Sequence, residues 1–462
     1  MAHVLANLLP ETVLPPVNDS LITQAYASRR RITDVTEYTP YYDDILKLYR
    51  CGISVGSDET GSFLPDSPIT RGAAAAMLTR MVDPSLRLTP DWHLPELYSA
   101  EGAAYEDLVT AGTYIAAPET AADYDQAVRY MLSQGENTLS LKYDQGFTVS
   151  SAQETLNNAL LAVKRYCEQG YNNASCSYNA AGTMILKFSS IAGDRTEEYR
   201  SEALTAAIAV HDALWQQGTI TPASTQREIA WAYYQWIAAN CTYDAGDNTS
   251  VSHLPYSLFH NGKAVCDGYT GAYNLLLKLE GIDCYALPNA THIWTVATLD
   301  GTDYHIDTTW GDPVFTGGDD SQGPAYEYFG LTTDDLLRTH TIDDKVPVPD
   351  CTSNSNNYFF RNGLYFSAYD PDALTALFQR ALAAGQRQVS VRYADAAYPA
   401  ACAALFDQGQ LNTLLGRARE ALDSPVSLAG SLWYTRNETM GTLSFLLPLS
   451  SSPGAAPEGS AP

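Results

Sequence analysis

The chain has 462 residues, 45% of them hydrophobic and 17% charged, which is the composition of a globular protein too long for a single hydrophobic core. Its 53 acidic side chains against 27 Lys and Arg give a formal net charge of -26, a field that repels phosphate backbones and anionic lipid and so argues against nucleic acid or a membrane surface as the main partner. No segment approaches the roughly 18 to 20 consecutive apolar residues that cross a bilayer, and the opening residues lack the charged start, apolar run and cleavage site of a signal peptide.

The first predicted elements, within residues 32–90, are a helix, a loop rich in Gly and Asp, and an Ala-rich helix introduced by Ile-Thr-Arg. This order resembles an S-layer homology repeat. Repeats of this family bind polymers of the Gram-positive cell wall, usually in sets of three, with the Ile-Thr-Arg segment at the polymer site. The resemblance implies cell-wall polysaccharide as a partner, Thr70 and Arg71 as binding residues, and an extracellular, wall-associated location. The matching positions are Asp34, Val35, Tyr42, Ile45, Gly52, residues 61–66 and residues 69–71.

Residues 1–15 resemble the closing helix of a preceding repeat. We therefore expect the chain to begin inside a repeat array, with a leader and further repeats lost upstream. An ordinary helical cap is the alternative interpretation.

Two segments on either side of the centre are similar to each other. Residues 123–143 and 370–393 each have an acidic start, an amphipathic helix, a Gly turn and an alternating strand that ends in Tyr. Each is followed by another helical run, at 151–170 and 408–422, and then by strand-like pairs with Gly-bearing turns. The pattern predicts two copies of a small α/β sandwich, to which we assign scaffolding or ligand-presenting roles because nothing in them suggests chemistry.

The segment 261–313 carries the residues that suggest chemistry. Apolar side chains follow helical spacing after Cys266, and Gly281 stands where a helix would be capped, so Cys266 is predicted to lie at a helix N-terminus. There the unpaired backbone N–H groups and the helix dipole stabilise an anion, which lowers a thiol pKa and favours the nucleophilic thiolate. The same N–H groups are suited to hold the oxyanion of a tetrahedral intermediate.

Two strands are predicted next, at 291–299 and 302–310, joined by a tight turn at Asp300-Gly301. A two-residue turn puts His292 and Asp307 on the same face of this hairpin, diagonally across from each other. Such a diagonal neighbour is close enough for a carboxylate to accept the ring N–H of a histidine and fix its tautomer.

Cys266, His292 and Asp307 are therefore the predicted nucleophile, base and orienting residue of a catalytic triad. His305 shares the hairpin face of Asp307 and is an alternative base, although no motif supports it and histidines on strands are commonly structural.

The same residues resemble the core of the transglutaminase-like superfamily. The family pattern includes Val-Cys-x-Gly-Tyr, then His-x-Trp on one strand and Asp-x-Thr-Trp on the next. Here it is matched by residues 265–269 (VCDGY), 292–294 (HIW) and 307–310 (DTTW), and residues 224–244 resemble the first helix of these domains. Two positions depart from the pattern: many relatives have Asn at the position of Thr295, and Pro is often found at that of Thr308.

The resemblance implies a papain-like, transglutaminase-like α+β core with the triad Cys266, His292 and Asp307. It also places four further side chains at the substrate site or in support of it: Asp267, Tyr269, Trp294 and Trp310.

The predicted function is a cell-surface thiol acyl-transfer enzyme that acts on peptide or carboxamide bonds of a peptide or protein substrate, as a cysteine peptidase or amidase. A protein cross-linking transglutaminase is one alternative, because no residue separates water from an amine as the acceptor. A non-catalytic cell-wall-associated binding protein and a structural surface-layer component are the others.

The eight cysteines are scattered along the chain, with neither a Cys-x-x-Cys pair nor a Cys and His cluster at zinc spacing. The sequence therefore predicts no metal and no cofactor. The cysteines other than Cys266 are interpreted as small hydrophobic side chains. A disulfide between Cys167 and Cys176 is an open alternative for an extracellular chain.

The predicted fold class is multidomain α+β, with a helical S-layer homology repeat at the N-terminus and a small α/β sandwich module on each side of the central core. Residues 451–462 are small, Pro-rich and polar and are predicted to be a disordered tail. The predicted domains are a partial repeat (1–30), a full repeat (31–95), a first module (96–194), the catalytic domain (195–345), a second module (346–450) and the tail (451–462).

Overall fold

The computed structural model describes most of the chain. The described residues are 2–10, 13–18, 35, 39–57, 62–65, 67–89, 109–110, 114–116, 118–133, 136–246, 249–312, 324–343, 346–422, 426, 428 and 432–449. The predicted tail therefore lies outside the described residues, as do Asp34 and parts of the 61–66 motif of the N-terminal repeat.

Three helices form the described N-terminal region. They are α1 (Ala2–Ala6), α2 (Tyr42–Arg50) and α3 (Arg71–Val82). The α3 helix begins where the Ile-Thr-Arg motif predicts, because the Thr70 side chain accepts a hydrogen bond from the backbone N–H of Ala73 at 3.1 Å and caps the first turn. The helices share a small core that includes Leu5, Leu48 and Met81.

The first module is a five-stranded sheet covered by two helices. Its strand order is β1-β2-β3-β5-β4, which leaves β4 at an edge. Side chains of β3 alternate between buried and less buried positions, so Leu139 and Leu141 face the helices. The elements are β1 (Val109–Thr110), β2 (Tyr114–Ala116), α4 (Ala121–Ser133), β3 (Thr138–Lys142), α5 (Val149–Lys164), β4 (Asn173–Tyr178) and β5 (Thr183–Ser189).

The central core packs helices against a four-stranded antiparallel sheet of order β11-β10-β9-β8. Its helices are α6 (Thr196–Gln216), α7 (Gln226–Asn240), α8 (Pro255–Asn261), α9 (Cys266–Leu279) and α10 (Thr333–Leu336). The strands of the sheet are β8 (Cys284–Pro288), β9 (Ile293–Leu299), β10 (Thr302–Ile306) and β11 (Phe329–Leu331), and β6 (Thr242–Tyr243) pairs separately with β7 (Lys263–Ala264).

The α9 helix runs through the middle of this core. Tyr269, Tyr273 and Leu276 are fully buried on it, packed between the other helices and the sheet. The helix ends at Leu279, and Gly281 follows with a positive φ of 69°, the backbone conformation that a glycine adopts after a helix at little cost.

The second module has the sheet order β12-β13-β15-β14, which leaves β14 at an edge with most of its side chains exposed. Helices α12 and α14 pack on the sheet through a core that includes Phe378, Leu414 and Phe445. Its elements are α11 (Tyr358–Arg361), β12 (Tyr365–Phe366), α12 (Pro371–Ala383), β13 (Gln388–Tyr393), α13 (Tyr398–Cys402), α14 (Gln410–Glu420), β14 (Trp433–Asn437) and β15 (Thr442–Leu446).

Both modules are joined to the core by buried polar contacts. On the side of the first module, Glu168 forms an ion pair with Lys278 of α9, and the backbone N–H of Ala286 donates to the carbonyl of Arg165 at 2.7 Å. On the side of the second module, Arg392 forms an ion pair with Asp335 of α10.

The mixed α+β class predicted from the sequence is confirmed by this architecture. Where one domain ends and the next begins stays a prediction. Cys167 and Cys176, both among the described residues, are free thiols, so the disulfide considered for them is not formed in the structure. Among the described helices, none has the length and apolar character required to cross a membrane.

Candidate active site

Cys266 is the first residue of α9, the position that the sequence predicts for it. The preceding residue, Val265, is extended and donates its backbone N–H to the carbonyl of Ser252 at 3.0 Å, which holds the chain where the helix begins. The half-buried side chain of Cys266 packs against Cys167, Ala286 and Ile293. The thiol is therefore at the end of the helix where the unpaired backbone N–H groups lie.

His292 and Asp307 meet across the hairpin of β9 and β10. The turn at Asp300-Gly301 has positive φ at both residues, and the strands pair in the predicted register, with Leu299 opposite Thr302. His292 Nε2 lies 2.8 Å from Asp307 Oδ2. Because an ionised carboxylate only accepts hydrogen bonds, Nε2 carries the proton and Nδ1 is left for exchange with the thiol.

The pKa values of both groups are shifted in directions that keep them charged. Burial acts to raise the pKa of Asp307, but hydrogen bonds from two imidazoles outweigh it and lower the value to about 2. Burial acts to lower the pKa of His292, but hydrogen bonds with Asp307 and Cys266, together with their charges, raise it to about 10. The His292 imidazolium is therefore hydrogen-bonded to both the carboxylate and the cysteine side chain.

Cys266 and His292 line a cleft of about 180 Å³. One wall of this cleft comes from the first module, which contributes Cys167, Tyr171 and Asn172. The sequence predicted a scaffolding or ligand-presenting role for that module but not its position beside Cys266, because nothing in its composition or periodicity predicts which face of α9 it covers.

A second histidine, His340, contacts the same carboxylate and was missed by the sequence analysis. Its Nε2 lies 2.9 Å from Asp307 Oδ2, and its Nδ1 lies 2.8 Å from Thr339 Oγ1. The ring is buried, with its centroid 4.6 Å from that of Trp310. His340 lies downstream of the motif that identified the triad, and no spacing rule connects it to that motif.

His292, Asp307 and His340 are also a group whose ligand atoms lie within 4.8 Å of one another, the kind of cluster able to hold a metal ion. The sequence predicted no metal, and its residue spacing did not indicate this group. Each Nε2 lies within hydrogen-bonding distance of Asp307 Oδ2, so hydrogen bonding accounts for the cluster.

Asp267, a predicted supporting residue, also lines the cleft and pairs with His253, whose Nδ1 lies 2.7 Å from Asp267 Oδ2. The hydrogen bond with Asp267 raises the pKa of His253. Like His340, His253 was not predicted from the sequence. It lies on the short helical turn before α8, outside the motifs that identified the triad.

The three predicted aromatic residues occupy different places. Tyr269 is buried and its hydroxyl donates to Asp312 Oδ2 at 2.5 Å. Trp294 is fully buried below the site, with its ring centroid 6.1 Å from that of His292. Trp310 is 41% exposed and its ring centroid lies 5.9 Å from that of His292, so it forms part of the rim of the site.

His305, the alternative base, is fully buried between other partners. Its Nδ1 accepts a hydrogen bond from Trp294 Nε1 at 3.2 Å, and its Nε2 lies 3.2 Å from Thr333 Oγ1. Burial lowers its pKa to about 4, so the ring is neutral. It is a structural histidine of the core. Of the two departures from the family pattern, Thr295 donates to Asn274 Oδ1 at 2.7 Å, and Thr308 is buried.

The predicted polymer-binding residues, Thr70 and Arg71, lie at the exposed start of α3 in the N-terminal region. They belong to a different part of the fold from the residues around Cys266.

Comparison with protein families matches two segments of the chain. Residues 214–305 match the transglutaminase-like superfamily, and residues 31–75 match the S-layer homology domain. The first segment includes Cys266 and His292 and ends just before Asp307. The second includes Thr70 and Arg71 and indicates an association with the cell surface.

Two curated proteins are similar over part of the core. The kyphoscoliosis peptidase of Homo sapiens is 26% identical over 108 residues, which covers 19% of this chain and 16% of that protein. The kyphoscoliosis peptidase of Mus musculus is 24% identical over 99 residues, covering 17% of this chain and 15% of that protein. The chain thus spans only a small part of the length of the relatives that it matches.

Among solved structures, a chain described as the crystal structure of a TGase aligns with 17% sequence identity and a TM-score of 0.21. The alignment covers 48% of this chain and 65% of that one.

Proposed function

We propose that this chain, which carries a transglutaminase-like segment and an S-layer homology domain, is a thiol acyl-transfer enzyme of the cell surface that hydrolyses peptide or carboxamide bonds. The observation that carries the proposal is the arrangement of Cys266 at a helix N-terminus, His292 hydrogen-bonded with it, and the buried Asp307 carboxylate behind His292. These are the nucleophile, base and orienting group that acyl transfer requires.

The reaction begins with the Cys266 thiolate, which attacks the carbonyl carbon of the substrate. The carbon–nitrogen bond then breaks, and His292 gives its proton to the departing amine, leaving a thioester on Cys266. Water attacks the thioester, His292 takes up the proton from that water, and the thiolate is restored as the carboxylic acid leaves. The backbone N–H groups at the start of α9 hold the negative oxygen in both tetrahedral intermediates.

Hydrolysis is proposed over cross-linking because the two curated relatives are named as peptidases. An amine acceptor would follow the same steps and give a new amide in place of the acid. The products therefore separate a peptidase or amidase from a transglutaminase.

Attachment to the cell wall is the second part of the proposal. The S-layer homology domain supports binding of cell-wall polysaccharide, with Thr70 and Arg71 at the exposed start of α3 as the binding residues. We expect Arg71→Ala to reduce the fraction of protein that sediments with purified Gram-positive cell walls. Equal sedimentation of Arg71→Ala and the wild type would argue against this role.

The test of the catalytic proposal is alkylation of the folded protein by limiting iodoacetamide at mildly acidic pH, followed by intact mass and peptide mapping. One rapid adduct is expected at Cys266, absent in Cys266→Ala and slowed in His292→Ala. Cys176, a partly exposed thiol on the edge strand β4, is the internal control for an ordinary cysteine.

If Cys266 reacts no faster than Cys176, the enzyme proposal is wrong and a non-catalytic binding protein of the cell wall is the better interpretation. If it reacts rapidly, incubation with peptide substrates in the presence and absence of a primary amine identifies the acceptor.

A further inference from the structure

A second cavity lies between the core and the second module, and Trp310, whose ring is close to those of His292 and His340, is one of its lining residues. Its volume is about 520 Å³, within the range typical of ligand sites. We call it the Trp310–Trp433 cavity, and its lining includes Trp310, Glu327, Tyr328, Gln388, Trp433 and Tyr434.

Two side chains of this cavity have acceptor oxygens without a partner among the described residues. Glu327 is only 7% exposed; its Oε1 accepts hydrogen bonds from Asn437 Nδ2 at 3.2 Å and Thr442 Oγ1 at 3.1 Å, whereas its buried Oε2 accepts none. The buried Oε1 of Gln388 is likewise without a donor. A buried acceptor without a hydrogen-bond donor costs free energy. A ligand that donates hydrogen bonds to these two oxygens would remove that cost.

The cavity also has exposed aromatic walls. Trp433 is 71% exposed on the edge strand β14, and Trp310 is 41% exposed on the core side. The described residues place no ring against Trp433. Arg436 also lines the cavity. Its guanidinium lies over the ring of Phe406, 5.3 Å from the centroid. Aromatic faces of this kind attract cations and cover aliphatic chains.

From these features we infer that the Trp310–Trp433 cavity binds the alkylammonium group of a lysine-type side chain on the peptide substrate. An ammonium has three hydrogen-bond donors and no acceptor, which matches the two acceptor oxygens of Glu327 and Gln388. Its positive charge offsets the cost of the buried Glu327 carboxylate, and the methylene chain packs between Trp310 and Trp433. The net charge of -26 favours approach of a cationic peptide.

Trp310 connects this cavity with the candidate active site, because its ring also lies 5.9 Å from that of His292. A side chain held in the cavity would anchor the peptide next to the imidazole that protonates the leaving amine. The inference names the substrate class of the proposed enzyme and in that sense rests on the proposed function, but binding itself does not require a reactive thiol.

The test is titration of the full-length Cys266→Ala protein with Nα-acetyl-lysine amide and, separately, with Nα-acetyl-norleucine amide, followed by calorimetry. The two probes differ only in the ammonium group. Saturable binding of the lysine probe is expected, with the norleucine probe at least about tenfold weaker.

Two further variants in the same background locate the binding site. Glu327→Gln removes the charge and keeps the shape, and Trp433→Ala removes an exposed ring that contributes nothing to the core, so each should weaken the lysine probe by about fivefold or more. Tyr178→Ala is the matched control, because Tyr178 is a 40% exposed ring on β4, the edge strand of the first module, and it should leave binding unchanged.

Equal binding of the two probes, or unchanged binding in both Glu327→Gln and Trp433→Ala, would overturn the inference. Because binding is measured without Cys266, its failure is separable from failure of the proposed function. If Cys266 of the wild type is rapidly alkylated but the lysine probe is not preferred, the proposed enzyme function stands and the proposed lysine site is rejected.

Discussion

The Asp307 carboxylate is fully buried and accepts hydrogen bonds from two imidazoles and two backbone amides. Oδ2 accepts from His292 and His340, and Oδ1 accepts from the backbone N–H groups of Thr309 at 2.9 Å and Trp310 at 3.1 Å. These donors offset the cost of burying a charge. Since His340 makes no contact with the thiol in the described structure, we assign it the role of a positioning residue.

The first residue-scale prediction concerns His340. His340→Ala removes a donor from a buried charge, so the free energy of unfolding should fall by about 1.5–3 kcal/mol, and alkylation of Cys266 should slow because Asp307 no longer holds His292 in place. His340→Gln keeps a side-chain N–H and should recover part of both losses. Urea unfolding and the pH profile of the alkylation rate measure the two effects; identical profiles for all three proteins would contradict the positioning role.

The second residue-scale prediction concerns pH. The pKa of His292 is raised to about 10 in the folded protein, above about 6.5 when unfolded. Its contribution to stability is therefore complete below about pH 6.5 and is lost as the pH rises towards 10, with a slope of at most about 1.4 kcal/mol per pH unit. The pKa of Asp307 is lowered to about 2. Its contribution to the free energy of unfolding is therefore complete above about pH 4 and is lost as the pH falls through 2.

Unfolding by urea at pH 5, 7 and 9 checks this sign. The difference in free energy of unfolding between the wild type and His292→Gln should be greatest at pH 5 and shrink by pH 9. A difference that grows with pH would show that His292 is neutral in the folded protein.

At the scale of elements, local sequence signals predicted the parts of the site that depend on neighbouring residues. Helical spacing placed Cys266 at the start of α9, and the Asp300-Gly301 turn fixed the register that brings His292 to Asp307. His253 and His340 were not predicted, because long-range packing brings them to the site. The strand period of two residues and the helix period of 3.6 residues report only on local structure. A scaffolding or ligand-presenting role was predicted for the first module, but its position beside Cys266 could not be predicted, for the same reason.

The prediction at this scale concerns Gly268, in the first turn of α9. A Cβ added there would lie 2.6 Å from the carbonyl oxygen of Ser252 and 2.8 Å from Ala264 Cβ, so the start of the helix would have to move. Gly268→Ala should destabilise the protein by about 1–3 kcal/mol and slow the alkylation of Cys266. Gly416→Ala in α14 is the control, because a Cβ there meets nothing within 4 Å and should be neutral or stabilising by up to about 1 kcal/mol.

At the scale of the whole molecule, each of the two modules lines a different cavity against the core. The first supplies a wall of the thiol cleft, and the second supplies β14 and the Trp310–Trp433 cavity. The similarity between the two modules predicted related folds, but not which cavity each one lines. Because each module lines a cavity together with the core, we expect the coupling between each module and the core to affect both sites.

The last prediction tests that coupling at the ion pair between Glu168 of the first module and Lys278 of α9, whose side chains are 0% and 7% exposed. Lys278→Met deprives a buried carboxylate of this partner, so the free energy of unfolding should fall by about 3–5 kcal/mol. Adding Glu168→Gln removes the charge and should restore most of the loss. The exposed pair of Arg417 and Asp372 in the second module is the matched control, because Arg417→Met should cost no more than about 1 kcal/mol. If Lys278→Met costs no more than Arg417→Met, the first module is only loosely coupled to α9, and its wall of the cleft would be free to move independently of Cys266.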